Sequence, residues 1–244
     1  MDILIEKRGV LEMDNLLINE NKNCEREYNG EKYARYAIRT PLITKNDNIV
    51  DVARTYAAEH LEQGDILFFS EKAVACTQNR AIPLEDIHPS GLAKLLSRFV
   101  YKSPYGIGLA IPETMEMALR ECGRARILWA AFCSAVGKIF GKRGVFYKIA
   151  GEKARAIDGP TSGTIPPLDR CVVLGPSNPV ETAQKIADAL ECEVLIIDAN
   201  DLGINILGWS KNIANDVEKY KELLRDNPLG QKSQSTPMGI LRQI

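Results

Sequence analysis

The chain has 244 residues, long enough to bury one large core or two intimate ones. Its 31 basic and 32 acidic side chains leave a net charge of −1, so no global field favours nucleic acid as a partner. Hydrophobic residues at 45% and charged residues at 26% exclude a disordered or fibrous chain and point to a globular protein.

Residues 1–27 are mixed and turn Asn/Glu-rich towards their end, and read as an N-terminal extension or edge piece. The core is expected over 28–210. Tyr28-Asn29-Gly30-Glu31-Lys32 is a turn signal, and residues 33–40 alternate as a strand does. A helix follows over about 49–62, capped by Asp47 or Asn48 and ended by Gly64. Ile66-Leu67-Phe68-Phe69 is a short continuous strand that delivers Ser70, Glu71 and Lys72 to its carboxyl end. Helices are predicted over 89–101, opening at Pro89, and over 112–122, stopping at Gly123. Residues 103–108 read as a loop between them. From 127 to 140 the small residues Ala130, Ala131, Ser134, Ala135 and Gly137 suit a closely packed buried helix, although its first half also reads as strand.

Gly141-Lys142-Arg143-Gly144 is a basic turn, 146–151 reads as a strand, and Ala156-Ile157-Asp158-Gly159-Pro160 as a turn after it. The next unit is the clearest. Residues 172–174 form an apolar run ending at Gly-Pro, Asn178 and Pro179 open a helix over 179–190, and the run 194–197 follows. Two such strands joined by a helix predict a parallel βαβ unit, with loops 175–178 and 198–203 at one carboxyl edge of the sheet, where open α/β sheets bind ligands. Residues 211–244 add a polar helix over 213–224, a linker over 233–236 and a last strand over 238–241, completing the core. The fold class expected is therefore α/β in the mixed α+β sense, a mixed sheet containing a parallel βαβ unit and flanked by helices.

Six scattered cysteines, with no CxxC and no histidine at ligand spacing, argue against a zinc site or a disulfide framework and fit reduced thiols in a cytoplasmic protein. No signal peptide is apparent at the N-terminus. The longest apolar run, 127–137, is about half of the roughly 20 residues that span a bilayer, so no membrane partner is expected.

No stretch fits the phosphate-binding loop G-x-x-x-x-G-K-[ST], and Gly106-Ile107-Gly108 lacks the third glycine of a dinucleotide fingerprint. His60 and His88 are the only imidazoles, one late in a helix and one before proline. The carboxylates offer more. Asp198, Asn200 and Asp201 follow a buried strand, and Asp158 stands in a Gly/Pro turn. Either they are turn formers, or they are hard oxygen donors of the kind that hold Mg²⁺ together with waters and substrate phosphates. Lys72 and the pair Lys142-Arg143 read first as solvated surface charge and second as phosphate partners, the one a point charge and the other a fork.

Three stretches resemble the coenzyme F420-0:L-glutamate ligase (gamma-glutamyl ligase) family. One runs from Pro41-Leu42-Ile43 and Asp47 through Gly64-Asp65 and the following strand to Ser70-Glu71-Lys72, with Arg80 closing the motif. Another is Ala156-Ile157-Asp158. The third is Leu174-Gly175-Pro176, Pro179, Ala183, Ile186 and Leu190, then Ile197-Asp198-Ala199-Asn200-Asp201-Leu202-Gly203. The likeness covers roughly 36–209, and residues 226–242 are similar to the family's closing helix and strand. It departs at Asn200-Asp201, where the family carries Asp-Thr, and at Cys76, which aligns with a second lysine.

The resemblance implies a gamma-glutamyl-ligase-like fold, a homodimer, GTP as co-substrate, Mg²⁺ or Mn²⁺, and an acyl-phosphate attacked by an amino acid amine. Small-molecule carboxylate and amino acid substrates follow from the same chemistry. Carried to this sequence, it implies metal binding by Asp158, Asp198 and Asp201. Pro41, Leu42, Lys72, Arg80, Arg143, Asn200 and Gly203 would then line the nucleotide side. The alternative is a homologue of the same fold that binds nucleotide or ligand without turning it over.

Overall fold

The structure, a computed structural model, describes residues 11–13, 16–100, 107–142, 144–161, 164–200, 203–230 and 234–244. In chain order its elements begin with strands β1 (Leu11–Met13), β2 (Leu16–Ile18), β3 (Glu25–Tyr28) and β4 (Glu31–Ile38). Helix α1 (Ile49–Tyr56), strand β5 (Ile66–Ser70), helix α2 (Glu71–Thr77) and strand β6 (Ala81–Pro83) come next. Five helices follow, α3 (Gly91–Ser97), α4 (Pro112–Cys122), α5 (Arg124–Ile139), α6 (Val145–Ala150) and α7 (Glu152–Arg155). The chain closes with β7 (Cys171–Val173), α8 (Pro179–Leu190), β8 (Glu193–Asn200), β9 (Gly203–Trp209), α9 (Val217–Leu224) and β10 (Met238–Gln243). No helix among the described residues is long and apolar enough to cross a membrane.

These elements form two compact units, one from Met1–Asn79 with Pro176–Ile244 and the other from Arg80–Gly175. The first is built on a mixed sheet in the order β1-β2-β4-β10-β5-β8-β9, with β3 hydrogen-bonded to β4. The sheet holds both parallel and antiparallel pairs, as a mixed α/β fold requires. Its middle strands are continuous apolar runs because both faces are covered: Leu67, Phe68, Phe69, Val194, Leu195, Ile196, Met238 and Ile240 are all withdrawn from solvent. Gly239 lies where β10 is most crowded; a Cβ there would sit 2.4 Å from the Tyr36 carbonyl oxygen and 2.6 Å from the Phe68 ring.

Asn48, rather than Asp47, caps α1, accepting from the Val50 N–H at 2.9 Å. The Asp47 carboxylate instead accepts from the N–H and hydroxyl of Thr44. The helix expected over 49–62 breaks at Ala57 into a short 3₁₀ turn.

The parallel pairing expected between 172–174 and 194–197 is not what forms. The parallel partner of β8 is β5, with Ser70 opposite Ile197, while β7 pairs antiparallel with β6 in a separate two-stranded sheet. The reason is edge occupancy. β5 takes one hydrogen-bonding edge of β8 and β9 takes the other, so no edge is left for β7. Asn178 does not cap α8 either. It adopts a left-handed conformation (φ 46°, ψ 55°) and turns its amide towards Glu181 at 3.3 Å. The loop expected over 198–203 is not a loop at its ends, since β8 continues to Asn200 and β9 starts at Gly203, paired with it.

The second unit packs α3–α7 around Leu109, Met115, Ile127, Ile157 and Val172. Ser90 caps α3, accepting from the Ala93 N–H and donating to the Glu116 carboxylate at 2.7 Å. That helix opens at Gly91, two residues later than Pro89 suggests. Residues 146–151, expected as a strand, fall instead on the helix α6 and its C-terminal cap. Gly144 at φ 74° and Gly151 at φ 91° bracket it, and a short run of aromatic and β-branched residues does not choose between the two states by itself. Segment 124–139 is helical throughout, but only Ile127, Ala130 and Gly137 are buried, so it is a half-exposed helix and not an enclosed one.

Candidate functional site

Strand direction decides what the first unit can assemble. β10 runs antiparallel to both β4 and β5, and β5 runs parallel to β8, so β4, β5 and β8 all point the same way. Ile38, Met238, Phe69 and Ile196 are successive partners across the four strands. Whatever follows that row on β4, β5 and β8 therefore emerges at one edge of the sheet, the edge at which open α/β sheets take ligands. At about 4.8 Å per strand the row is about 14 Å wide.

Thr40, Pro41 and Leu42 emerge after β4. Thr40 is buried and anchors them: its N–H donates to the Ser235 carbonyl at 3.0 Å, and its hydroxyl donates to the Pro41 carbonyl at 2.8 Å. Pro41 and Leu42 themselves are exposed. After β5 come Ser70 and the first turn of α2. The Ser70 N–H donates to the Pro237 carbonyl at 2.8 Å, Glu71 is buried and Lys72 half-buried. Asp198 follows the Ser70–Ile197 pair directly on β8, half-buried, and stands opposite Asn205 of β9. Asn200 and Gly203 close the same hairpin as its last backbone pair. So Pro41, Leu42, Lys72, Asp198, Asn200 and Gly203, six of the ten residues singled out in the sequence, belong to one edge of one sheet.

Glu71, which the sequence already places at the end of this strand, receives no role there because a carboxylate at the first position of a helix is an ordinary helix-dipole partner. Its burial at this edge, between Ser70 and Lys72, sets it apart. The signal present in the sequence is a charged residue two positions after a four-residue apolar run.

Arg80 and Asp158 belong to the second unit. The Arg80 guanidinium donates to the Glu121 carboxylate at 2.6 Å and to the Gly175 carbonyl, which ties the start of the unit to its end. Asp158 makes a β-bridge to Val173, with N–H···O bonds of 2.8 and 2.9 Å in the two directions, and is half-buried. Gly159, next in the chain, is closely approached, since a Cβ there would meet the Ile107 side chain at 3.1 Å. Arg143 and Asp201 lie outside the described residues, as do most of the loop 103–108, residues 1–10 of the N-terminal extension and Ser233 of the C-terminal linker.

A divalent cation can be tested against the donor set. No group of three His, Cys, Asp or Glu side chains among the described residues is placed to hold a metal ion. Mg²⁺ ordinarily uses only one or two carboxylates and completes its shell with water and substrate phosphate, so a single oxygen donor such as Asp198 at the sheet edge is of the kind it takes. No curated protein matches the sequence. The family model described as F420-0:gamma-glutamyl ligase matches residues 37–206, a span that contains every residue considered above for the site. With that match over well more than half of its length, the chain belongs to the F420-0:gamma-glutamyl ligase family.

Proposed function

We propose that the protein is a metal- and nucleotide-dependent amide ligase that activates a small-molecule carboxylate as an acyl-phosphate for attack by an amino acid amine. Family membership supports ligase chemistry. The single observation that carries the site is the meeting of Pro41, Leu42, Lys72 and Asp198 at one edge of the sheet. A substrate carboxylate oxygen attacks the γ-phosphorus of GTP, forming a C–O–P bridge as the bond to the β-phosphate oxygen breaks and GDP leaves. The amine nitrogen then attacks the acyl carbon, the C–N bond forms, phosphate departs and the amine loses its proton. Such transfers depend mainly on positioning and on neutralising phosphate charge, so no nucleophilic side chain is required.

In this reading Lys72 supplies a point charge to the phosphates, while exposed Pro41 and Leu42 offer an apolar ledge to the base or sugar. Arg80, Arg143, Asn200 and Gly203 complete the nucleotide side. Asp158, Asp198 and Asp201 would hold Mg²⁺ or Mn²⁺, which when bound neutralises charge on the transferring phosphate. The protein acts as a homodimer.

A second reading, binding without turnover, is favoured by Arg80, whose guanidinium is already committed to Glu121 and Gly175. Calorimetry with GTP and Mg²⁺, followed by measurement of GDP formation with and without a carboxylate and an amine, separates the two. Asp198→Asn and Asp158→Asn should each weaken metal-dependent nucleotide binding by tenfold or more, about 1.4 kcal/mol, while leaving the melting temperature unchanged. Unchanged titrations in both variants would remove the metal role from these residues.

A further inference from the structure

The second unit carries an apolar surface that the ligase chemistry does not use. Helix α5 exposes Leu128, Trp129, Phe132, Val136 and Ile139, with Phe140 at its cap, and at about 100° per residue these fall on one arc. The opposite arc, with Ile127, Ala130 and Gly137, is buried, and Gly137 lies against Val145 of α6. Trp129 and Phe132 stack at 5.6 Å between centroids. Trp129, Phe132 and Phe140 are 58%, 59% and 73% exposed. At about 150–250 Å² per aromatic side chain, their rings alone leave on the order of 300–450 Å² facing water. With Ile139, 81% exposed, and the two other aliphatic side chains, the stripe reaches the size at which a contiguous apolar patch marks an interaction surface.

Charge decides what fits there. Residues 122–151 contain no Asp or Glu, and carry Arg124, Arg126, Lys138, Lys142, Arg143 and Lys148. The unit as a whole has fourteen basic against eight acidic residues in a chain whose net charge is −1. Helical spacing puts Arg124 and Lys138 along one border of the apolar arc and Arg126 along the other, all three exposed. Two copies packed stripe to stripe in antiparallel fashion would set the arginines of one helix against Lys138 and Lys142 of the other, with no carboxylate on the segment to offset them. An apolar arc bordered by cations, with tryptophan and phenylalanine upon it, matches the boundary between acyl chains and anionic headgroups. There the rings enter the interface and the long basic side chains reach out to phosphate.

We propose that α5 seats the protein on an anionic lipid surface, lying in the plane of the interface and not crossing it. The test is flotation of the full chain with phosphatidylcholine vesicles, with and without added phosphatidylglycerol, while following tryptophan emission. Binding is expected only with the anionic lipid, weakened by salt and accompanied by a blue shift that Trp129→Tyr removes. Phe132→Glu with Ile139→Glu should lower vesicle affinity by more than about a hundredfold, since each apolar side chain withdrawn from water is worth about tenfold or more. Both side chains are mostly exposed, so the melting temperature should not move. Failure to float with anionic vesicles overturns the proposal, and so does flotation that survives the double substitution. Light scattering in the absence of lipid supplies the remaining check. A wild-type mass twice 27.1 kDa that falls to 27.1 kDa in the variant would show that a second copy covers the stripe, and would likewise overturn it.

Discussion

Arg35 enters β4 with its side chain wholly withdrawn from solvent, and Asp226 is the group that compensates it. The guanidinium donates to both oxygens of Asp226, to the Leu223 carbonyl at 2.9 Å and to the Asn23 carbonyl. Burial pushes the Asp226 carboxyl up, but the hydrogen bonds and charge of Arg35, with Arg26 at 3.5 Å, outweigh it and hold the carboxyl below its ordinary value. A depressed carboxyl contributes stability that is fully present above its unfolded pKa of about 3.9 and is lost as pH falls through the folded value. Asp226→Asn should therefore cost about 3–5 kcal/mol in urea denaturation near neutral pH, because it leaves a buried cation unpaired. The variant should also lose less further stability than the wild type on acidification below about pH 4. An equal acid slope in the two proteins would refute the assignment. None of this is readable from Asp226-Asn227-Pro228-Leu229-Gly230, which looks like a turn after a helix; its partner stands 191 residues away.

Among the elements, the legible ones are those whose own sequence pattern decides their state. The runs 66–69 and 194–197 lie in strands, the run 172–174 overlaps the strand Cys171–Val173, and 179–190 is a helix, because length, burial and flanking Gly-Pro or Asn-Pro agree. What those runs do not encode is the neighbour. Val172 and Val173 read the same whether the strand beside them is β6 or β8, and only the occupied edges of β8 settle it. The edge that gathers Pro41, Lys72 and Asp198 was legible residue by residue but not as a set, since it depends on β10 lying between β4 and β5. The fit of α8 on the sheet is a feature of the same kind. A Cβ on Gly208 of β9 would lie 2.4 Å from the Pro179 carbonyl oxygen, backbone against backbone. Gly208→Ala should destabilise by about 1–3 kcal/mol in thermal or urea unfolding. Gly91→Ala, in the first turn of α3 with nothing within 4 Å, should be neutral or stabilising by up to about 1 kcal/mol. Equal effects at the two positions would show that the close approach at Gly208 relaxes without cost.

At the scale of the whole molecule, the chain leaves the first unit at Asn79, builds the second from one continuous segment, and returns at Pro176. The first unit is thus made from the two ends of the sequence, and its last strand is central to it. β10 joins the antiparallel group β1-β2-β4 to the parallel pair β5-β8, using both of its edges. Met238, Ile240 and Leu241 are fully buried there, each worth about 1.5–3 kcal/mol on transfer from water. Their sum, about 4.5–9 kcal/mol, rivals the roughly 5–15 kcal/mol that separates a folded domain from its unfolded chain. Removing them also strands the facing backbone groups of β4 and β5 in an apolar layer. A chain ending at Pro237 should therefore lose the cooperative unfolding transition of the first unit, while the second, whose core runs through Leu109, Met115, Ile127 and Ile157, keeps its helices. Circular dichroism with urea titration reads both outcomes. Retention of the full cooperative transition without residues 238–244 would mean that β4 and β5 close on each other directly, and that the shared edge carrying Pro41, Lys72 and Asp198 does not depend on the strand between them.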